Sequence, residues 1–309
     1  MSDVATLQVV GRTHAPVDYS KWFMPEHLTP LFFAPIYTEL SEGVRLRYNQ
    51  LHALNINEQF MFLEDALAAN VIGALLHHPL IAPPLAKELR DFIEEETRHT
   101  ELFRQTNRLC APHLYADRDY CFIEIPGMAR RMLDWISQRP QVFPFLIWFI
   151  VLQEERAVYY SREILRMGQE VEPHFVALHR LHLADEVGHV SCDEQVIALL
   201  WHRCPSFLRR INAGWLAWLV GTFFTLPKRA GLRVIMELVK EHPELQERLP
   251  ELRQALLGLA HNEAYRLSIY SRAIVPKTFA LMDAWPEFAV MKRVLRGYTE
   301  PSTVTVETV

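Results

Sequence analysis

Several helical stretches of this chain carry a glutamate on their apolar stripe, and such carboxylates are tolerable in a core only when partners compensate them. Glu64 lies among Phe60, Met61, Leu67, Ala68 and Val71, and Glu96 among Leu89, Phe92, Ile93 and Phe103. Glu154 and Glu155 follow the apolar run from Phe145 to Leu152, and Glu186 sits inside the segment HLADEVGH. Four helices thus each push a carboxylate inward, where unpaired acids would repel one another. A core that accepts them needs a shared cation.

The histidines supply the rest of that reading. Glu96 and His99 are three residues apart, as are Glu186 and His189, so each pair presents an oxygen and a nitrogen on one helix face. His182, four residues before Glu186, adds a third donor to the last helix. A glutamate from each of two helices plus Glu-x-x-His from each of two others is the pattern of carboxylate-bridged two-metal bundles of the ferritin-like type. Here the order is Glu64, Glu96/His99, Glu154 or Glu155, and Glu186/His189. Oxygen and imidazole donors suit iron, with manganese as a substitute, whereas structural zinc favours cysteine and a zincin would need HExxH, which is absent. Asp185 and Glu95, each beside a candidate ligand, are placed to orient the histidines from outside.

The remaining punctuation is helical. Apolar-striped segments are expected near Ile56–Leu76, from Pro83 to about Leu109, after Pro126, from Phe143 to Met167 with Gly168 as the glycine stop, and from Pro173 to about Arg203. Further helices are expected at Ser206–Thr225, Ala230–Lys240, Glu244–Gly258 and Asn262–Arg272. No alternating strand pattern persists, so the expected class is all-α, a ferritin-like bundle with added C-terminal helices in one domain over residues 1–298. The first thirty or so residues, rich in proline, are expected to run extended over the surface, and residues 299–309 to be a disordered tail.

Composition narrows the partners. The 309 residues carry a formal net charge of -5 with no basic block, which argues against nucleic acid and an anionic membrane surface. The most hydrophobic window, Gly214–Leu226, is too short to span a bilayer and reads as a buried or interface helix. Four cysteines without CxxC spacing and an N-terminus unlike a signal peptide point to a reduced, cytoplasmic setting. Arg98, Arg156 and Arg162 are candidates for a substrate carboxylate, although helix arginines are more often solvated or paired. Phe143, Phe145, Trp148 and Phe149 read as core, and His77 and His78 as a helix end.

The set Glu64, Glu96-x-x-His99, Glu155 and His182-x-x-x-Glu186-x-x-His189 resembles the p-aminobenzoate N-oxygenase (AurF-like) family of di-iron proteins over residues 40 to 200, the extra histidine ahead of the last Glu-x-x-His being the specific mark. Counting back from Pro173 without gaps gives Glu155 as the third-helix ligand, while the apolar face through Ile147, Val151, Val158 and Leu165 suits Glu154 at least as well. Glu155 is the expected one. The resemblance implies two irons and oxidation by dioxygen of an aromatic amine, through hydroxylamine and nitroso stages, to a nitro compound in natural-product biosynthesis. No nucleotide fingerprint is present, so electrons are expected from an external donor. A C–H hydroxylase or desaturase on a free or carrier-bound substrate, and a ferroxidase, remain as rivals. The long apolar helices also suggest a homodimer.

Overall fold

The computed structural model describes residues 15–299, and every regular element among them is helical, with two isolated β-bridges, Trp22 to Val171 and Ser271 to Gly297. The all-α expectation holds. Helix α1 (Glu42–Leu63) starts where the Ser41 hydroxyl accepts from the Val44 N–H, passes through a π-turn at Glu64–Ala68, and continues as α2 (Ala69–Leu75). Then follow α3 (Pro83–Cys110), α4 (Pro112–Tyr115), α5 (Gly127–Ser137), α6 (Phe145–Met167), α7 (Pro173–Trp201), α8 (Ser206–Leu219), a π-turn at Val220–Phe224, α9 (Lys228–Glu241), α10 (Leu249–Gly258), α11 (Glu263–Ile269) and α12 (Pro276–Asp283).

Proline and glycine set these boundaries as their backbones require. Pro83 and Pro173 occupy first helical positions, where no N–H is needed, and the Glu172 carboxylate accepts from the next orphan donors, His174 N at 2.7 Å and Phe175 N at 3.2 Å. Gly168 ends α6 at φ +54°, a value that favours glycine.

The bundle that matters for the site is α1, α3, α6 and α7: α6 packs along α7, α3 packs against α7 and α1, and α1 touches α6. Phe145, Trp148 and Phe149 are fully buried in it, as core residues should be. The short helices α8 to α12 close one side, with α8 and α12 on α6 and α9 on α1. Among the described residues no helix is long and apolar enough to cross a membrane.

Three expectations need correction. Helix α1 begins at Glu42 rather than near Ile56; its first half shows no stripe because it buries polar groups all round, including Asn49, His52, Asn55 and Asn57. Asn49 pairs with the Met24 carbonyl and the Phe23 N–H, and Asn57 with Asn107. The N-terminal segment is not purely a surface strap either: Phe23, Thr29 and Leu31 are fully buried, and Pro30 and Pro35 open short 3-10 turns. Helix α12 lies beyond the last expected helix, Asn262–Arg272; it is eight residues long and buries only Thr278, Phe279 and Met282, too short a pattern to read as a stripe. The residues before 15 and after 299, including the expected disordered tail, lie outside the described ones.

Candidate metal centre

Each donor reaches the centre for a local reason. The π-turn that begins at Glu64 makes Ala69 N–H bond to the Glu64 carbonyl, five residues back, and this extra residue re-aims the chain so that the carboxylate turns inward. Glu96 and His99 come from α3, and His182, Glu186 and His189 from α7; the two helices run antiparallel, Glu88 meeting Gln195, Glu95 meeting His189 and His99 meeting Asp185, which sets the two Glu-x-x-His faces opposite each other. Glu64, Glu96, His99, His182, Glu186 and His189 are all buried.

Their donor atoms converge in two overlapping groups. One contains Glu64, His99, His182 and Glu186, the other Glu96, His99, Glu186 and His189, each with ligand atoms within 4.8 Å of one another. His182 Nε2 lies 3.2 Å from Glu64 Oε1 and 2.9 Å from Glu186 Oε1. His189 Nδ1 lies 2.8 Å from Glu96 Oε1, and His99 Nδ1 3.3 Å from Glu186 Oε1. Glu186 and His99 are common to both groups, and of the two only the Glu186 carboxylate has two oxygens to offer.

The outer nitrogens are already taken. His99 Nε2 meets Asp185 Oδ2 at 3.1 Å, and His189 Nε2 meets Glu95 Oε2 at 2.9 Å, so α3 and α7 exchange histidine–carboxylate pairs as their positions beside Glu96 and Glu186 anticipated. His182 turns its Nδ1 toward the Ser161 hydroxyl at 3.4 Å, which also meets His179 Nδ1 at 3.0 Å. Each imidazole therefore has one nitrogen fixed outward and one aimed at the centre, the arrangement that second partners impose on metal-binding histidines. Phe60 and Phe103 lie against the His182 ring at 5.5 and 5.0 Å, and Phe92 against His189 at 4.1 Å, which keeps water from these faces.

On α6 the structure reverses the expected choice. The Glu155 carboxylate is not at the centre: it accepts from Lys277 N, Thr278 N and Thr278 Oγ1, each at 2.8 Å, and so caps α12. Glu154 is the residue that turns inward. Burial, and then the charges of Glu186 and Glu96, push its carboxyl well above the usual range.

The electrostatics describe a crowded acidic core. Burial and the neighbouring Glu96 raise Glu64 to about 7. Burial alone would lower His182, but the Glu186 and Glu64 carboxylates outweigh it and lift the imidazole to about 9. Burial also opposes ionisation of Glu186, yet the surrounding histidines hold it well below the ordinary value. Sequence reasoning missed Ser161, His179 and Asp193. Asp193, one turn beyond His189, is fully buried with neither oxygen hydrogen-bonded, and burial pushes it well up. An i,i+4 search from His189 along α7 would have found it.

Of the three arginines, Arg98 is paired with Asp185 at 3.2 Å and Arg162 is exposed. Arg156, two residues past Glu154, has no carboxylate partner among the described residues; it bonds Tyr160 OH at 3.1 Å and lies over the Tyr160 and Tyr270 rings. With His52 and Gln59 it lines a small cavity between α1 and α6, where His52 Nδ1, Gln59 Nε2 and Arg156 Nε have no hydrogen-bond partner. His78 accepts from Leu80 N at 3.3 Å, which braces the turn after α2 rather than capping the helix, whose orphan groups there are carbonyls.

A family model described as P-aminobenzoate N-oxygenase AurF matches residues 14–257. An uncharacterized protein of Mycobacterium tuberculosis (strain CDC 1551 / Oshkosh) is 24% identical over 203 residues, covering 64% of this chain and 54% of that protein. An uncharacterized protein of Mycobacterium bovis (strain ATCC BAA-935 / AF2122/97) is 24% identical over 216 residues, covering 68% and 57%. The chain spans about half the length of the curated relatives it matches.

Proposed function

The chain belongs to the p-aminobenzoate N-oxygenase AurF family, and from that premise we propose that it is a di-iron N-oxygenase that oxidises an aromatic amine to a nitro compound with dioxygen. The carrying observation is the pair of overlapping donor groups that share His99 and Glu186. The donor set fits two ions: the oxygens of Glu96 and Glu186 and the inward nitrogens of His99 and His189 are buried facing one another, close together yet without well-aligned hydrogen bonds. Such atoms are costly to bury unless a cation takes them. Glu64 and His182 would hold one ion and Glu96 and His189 the other, with Glu186 shared. His99 has one free nitrogen and serves a single ion, and Glu154 completes the carboxylates. Oxygen and nitrogen donors without sulfur argue against a structural zinc site, and a carboxylate-rich set of this kind suits iron or manganese.

Bound iron would supply the redox chemistry with dioxygen. The chain's own groups then do the rest. Asp185, Glu95 and Ser161 hold the three imidazoles in their metal-binding orientation, and Phe60, Phe92 and Phe103 exclude water from the rings. Arg156 is the residue to anchor an anionic substituent of the amine, because its partly buried guanidinium borders a cavity and lacks an acid. Phe33 and Phe224 also line that cavity and must move aside for a ring-sized ligand.

Metal analysis and product analysis test this reading together. The purified chain should carry about two irons, and the reduced protein given dioxygen and a panel of arylamines should yield hydroxylamine, nitroso or nitro products. Two bound irons with no oxidised amine would sink the N-oxygenase reading and leave the carboxylate centre standing.

A further inference from the structure

Between Glu194 and Glu237 the chain has no acidic residue but six basic ones, Arg203, Arg209, Arg210, Lys228, Arg229 and Arg233, although the whole protein is negative. Arg209 and Arg233 are paired, with Glu287 and Glu124. Arg203, Arg210, Lys228 and Arg229 are exposed and, among the described residues, unpaired. They flank the outward face of α8, where Phe207, Ile211, Trp215 and Trp218 recur at helical spacing and stand 64%, 44%, 47% and 49% exposed, with Phe223 beyond them at 48%. Contiguous exposed aromatics of this kind mark a binding surface, and arginine with tryptophan is the composition such surfaces favour.

The aromatics also lead inward. Trp215 and Trp218 meet edge to face at 5.6 Å, and Trp218 meets Phe223 at 5.6 Å. Phe224, next in the chain, packs on the buried Phe149 of α6 at 4.6 Å. Phe149 precedes Glu154 by five residues, about 7.5 Å of helix rise. Two ring contacts on the surface and one inside, linked through the Phe223–Phe224 backbone, therefore lead from the basic face to the helix that carries an acid of the metal centre.

We propose that the α8 face docks an acidic one-electron carrier protein, and that Trp218, Phe223, Phe224 and Phe149 carry its electrons toward the centre. This rests on the di-iron reading for its purpose. Each encounter would oxidise the carrier by one electron, and two encounters would supply the two electrons that a pair of ferric ions held by these residues would need to become ferrous. A second copy of the chain is disfavoured, because a two-fold contact through α8 would set the same unpaired arginines and lysines against each other. A lipid surface would satisfy the charges but has no use for the inward aromatic run.

The test titrates the metal-free full chain with an acidic plant-type [2Fe–2S] ferredoxin by calorimetry at low and high salt. Binding should weaken as salt rises, and the combined substitution Arg210→Glu with Arg229→Glu should weaken it by about tenfold or more with the melting temperature unchanged. In the iron-loaded chain, Trp218→Leu should keep an apolar dock and slow iron reduction by the reduced ferredoxin. Binding that ignores salt and charge reversal would overturn the proposal. So would a light-scattering dimer that buries the tryptophans, or attachment to anionic vesicles without ferredoxin binding. Because docking is read without metal, it can hold where no amine is oxidised, and fail where amines are.

Discussion

Glu155 on α6 and Thr278 at the start of α12 are joined twice, the carboxylate accepting from both the backbone N–H and the hydroxyl of Thr278 at 2.8 Å. Its neighbour Glu154 points a third of a turn away into the acidic core. Adjacent identical side chains thus have separable roles. Glu154→Ala should lower bound iron and abolish oxidation with little change in α12. Glu155→Ala should leave iron content near two per chain and destabilise the fold by about 1–2 kcal/mol, the usual worth of a lost helix cap. Iron analysis beside thermal melts separates the two.

The proton competes with the metal for His182. In the metal-free fold its pKa rises from 6.5 to about 9, so it binds its proton more tightly than the unfolded chain does. The sign follows: this stabilisation is complete below the unfolded value, near pH 6.5, and is lost as pH rises through about 9, on the order of 3 kcal/mol. Glu64, raised to about 7, shifts in the same direction at lower pH. The metal-free protein should therefore lose stability from neutral to alkaline pH. Ferrous affinity should climb over the same interval, with proton release on binding. Calorimetry in buffers of different ionisation enthalpy counts those protons, and a pH-independent affinity would contradict the assignment of His182.

Six of the seven expected donors meet in the structure because helical spacing is local information: Glu96/His99 and His182/Glu186/His189 share faces by arithmetic alone. The seventh failed for a tertiary reason. Glu154 and Glu155 both border the apolar face, and only the position of α12, more than a hundred residues later, decides that Glu155 is needed elsewhere. The beginning of α1 was hidden for a related cause, since Asn49 and Asn57 break the apolar stripe yet are buried against Met24 and Asn107. The π-turn at Glu64 has no composition signal at all, though it is what aims the first ligand.

Asp185 and Glu95 touch no candidate metal position, yet each fixes the outer nitrogen of a histidine. Asp185→Asn and Glu95→Gln should each reduce iron affinity by about 10–100-fold, because the imidazole loses both its orientation and the carboxylate that raises its basicity. Asp185 has a second tie, to Arg98 at 3.2 Å, so its loss also frees a cation near the centre. Competition against a chelator of known strength measures the effect. Retention of full affinity in both variants would show that the pairs only fasten α3 to α7.

Arg156 gives the substrate reading its most direct test. The partly buried guanidinium is held by Tyr160 and two aromatic faces, and its buried Nε borders a cavity with Gln59 and His52. A carboxylate placed there gains a charge-assisted bond of about 1.5–3 kcal/mol, or roughly 10–100-fold in affinity. Arg156→Gln should raise KM for 4-aminobenzoate by that factor while leaving a neutral arylamine unaffected, and Arg156→Lys should recover only part of it, since lysine lacks the planar fork. Equal losses for charged and neutral amines would assign Arg156 to packing, through Tyr160 and Tyr270, rather than to recognition.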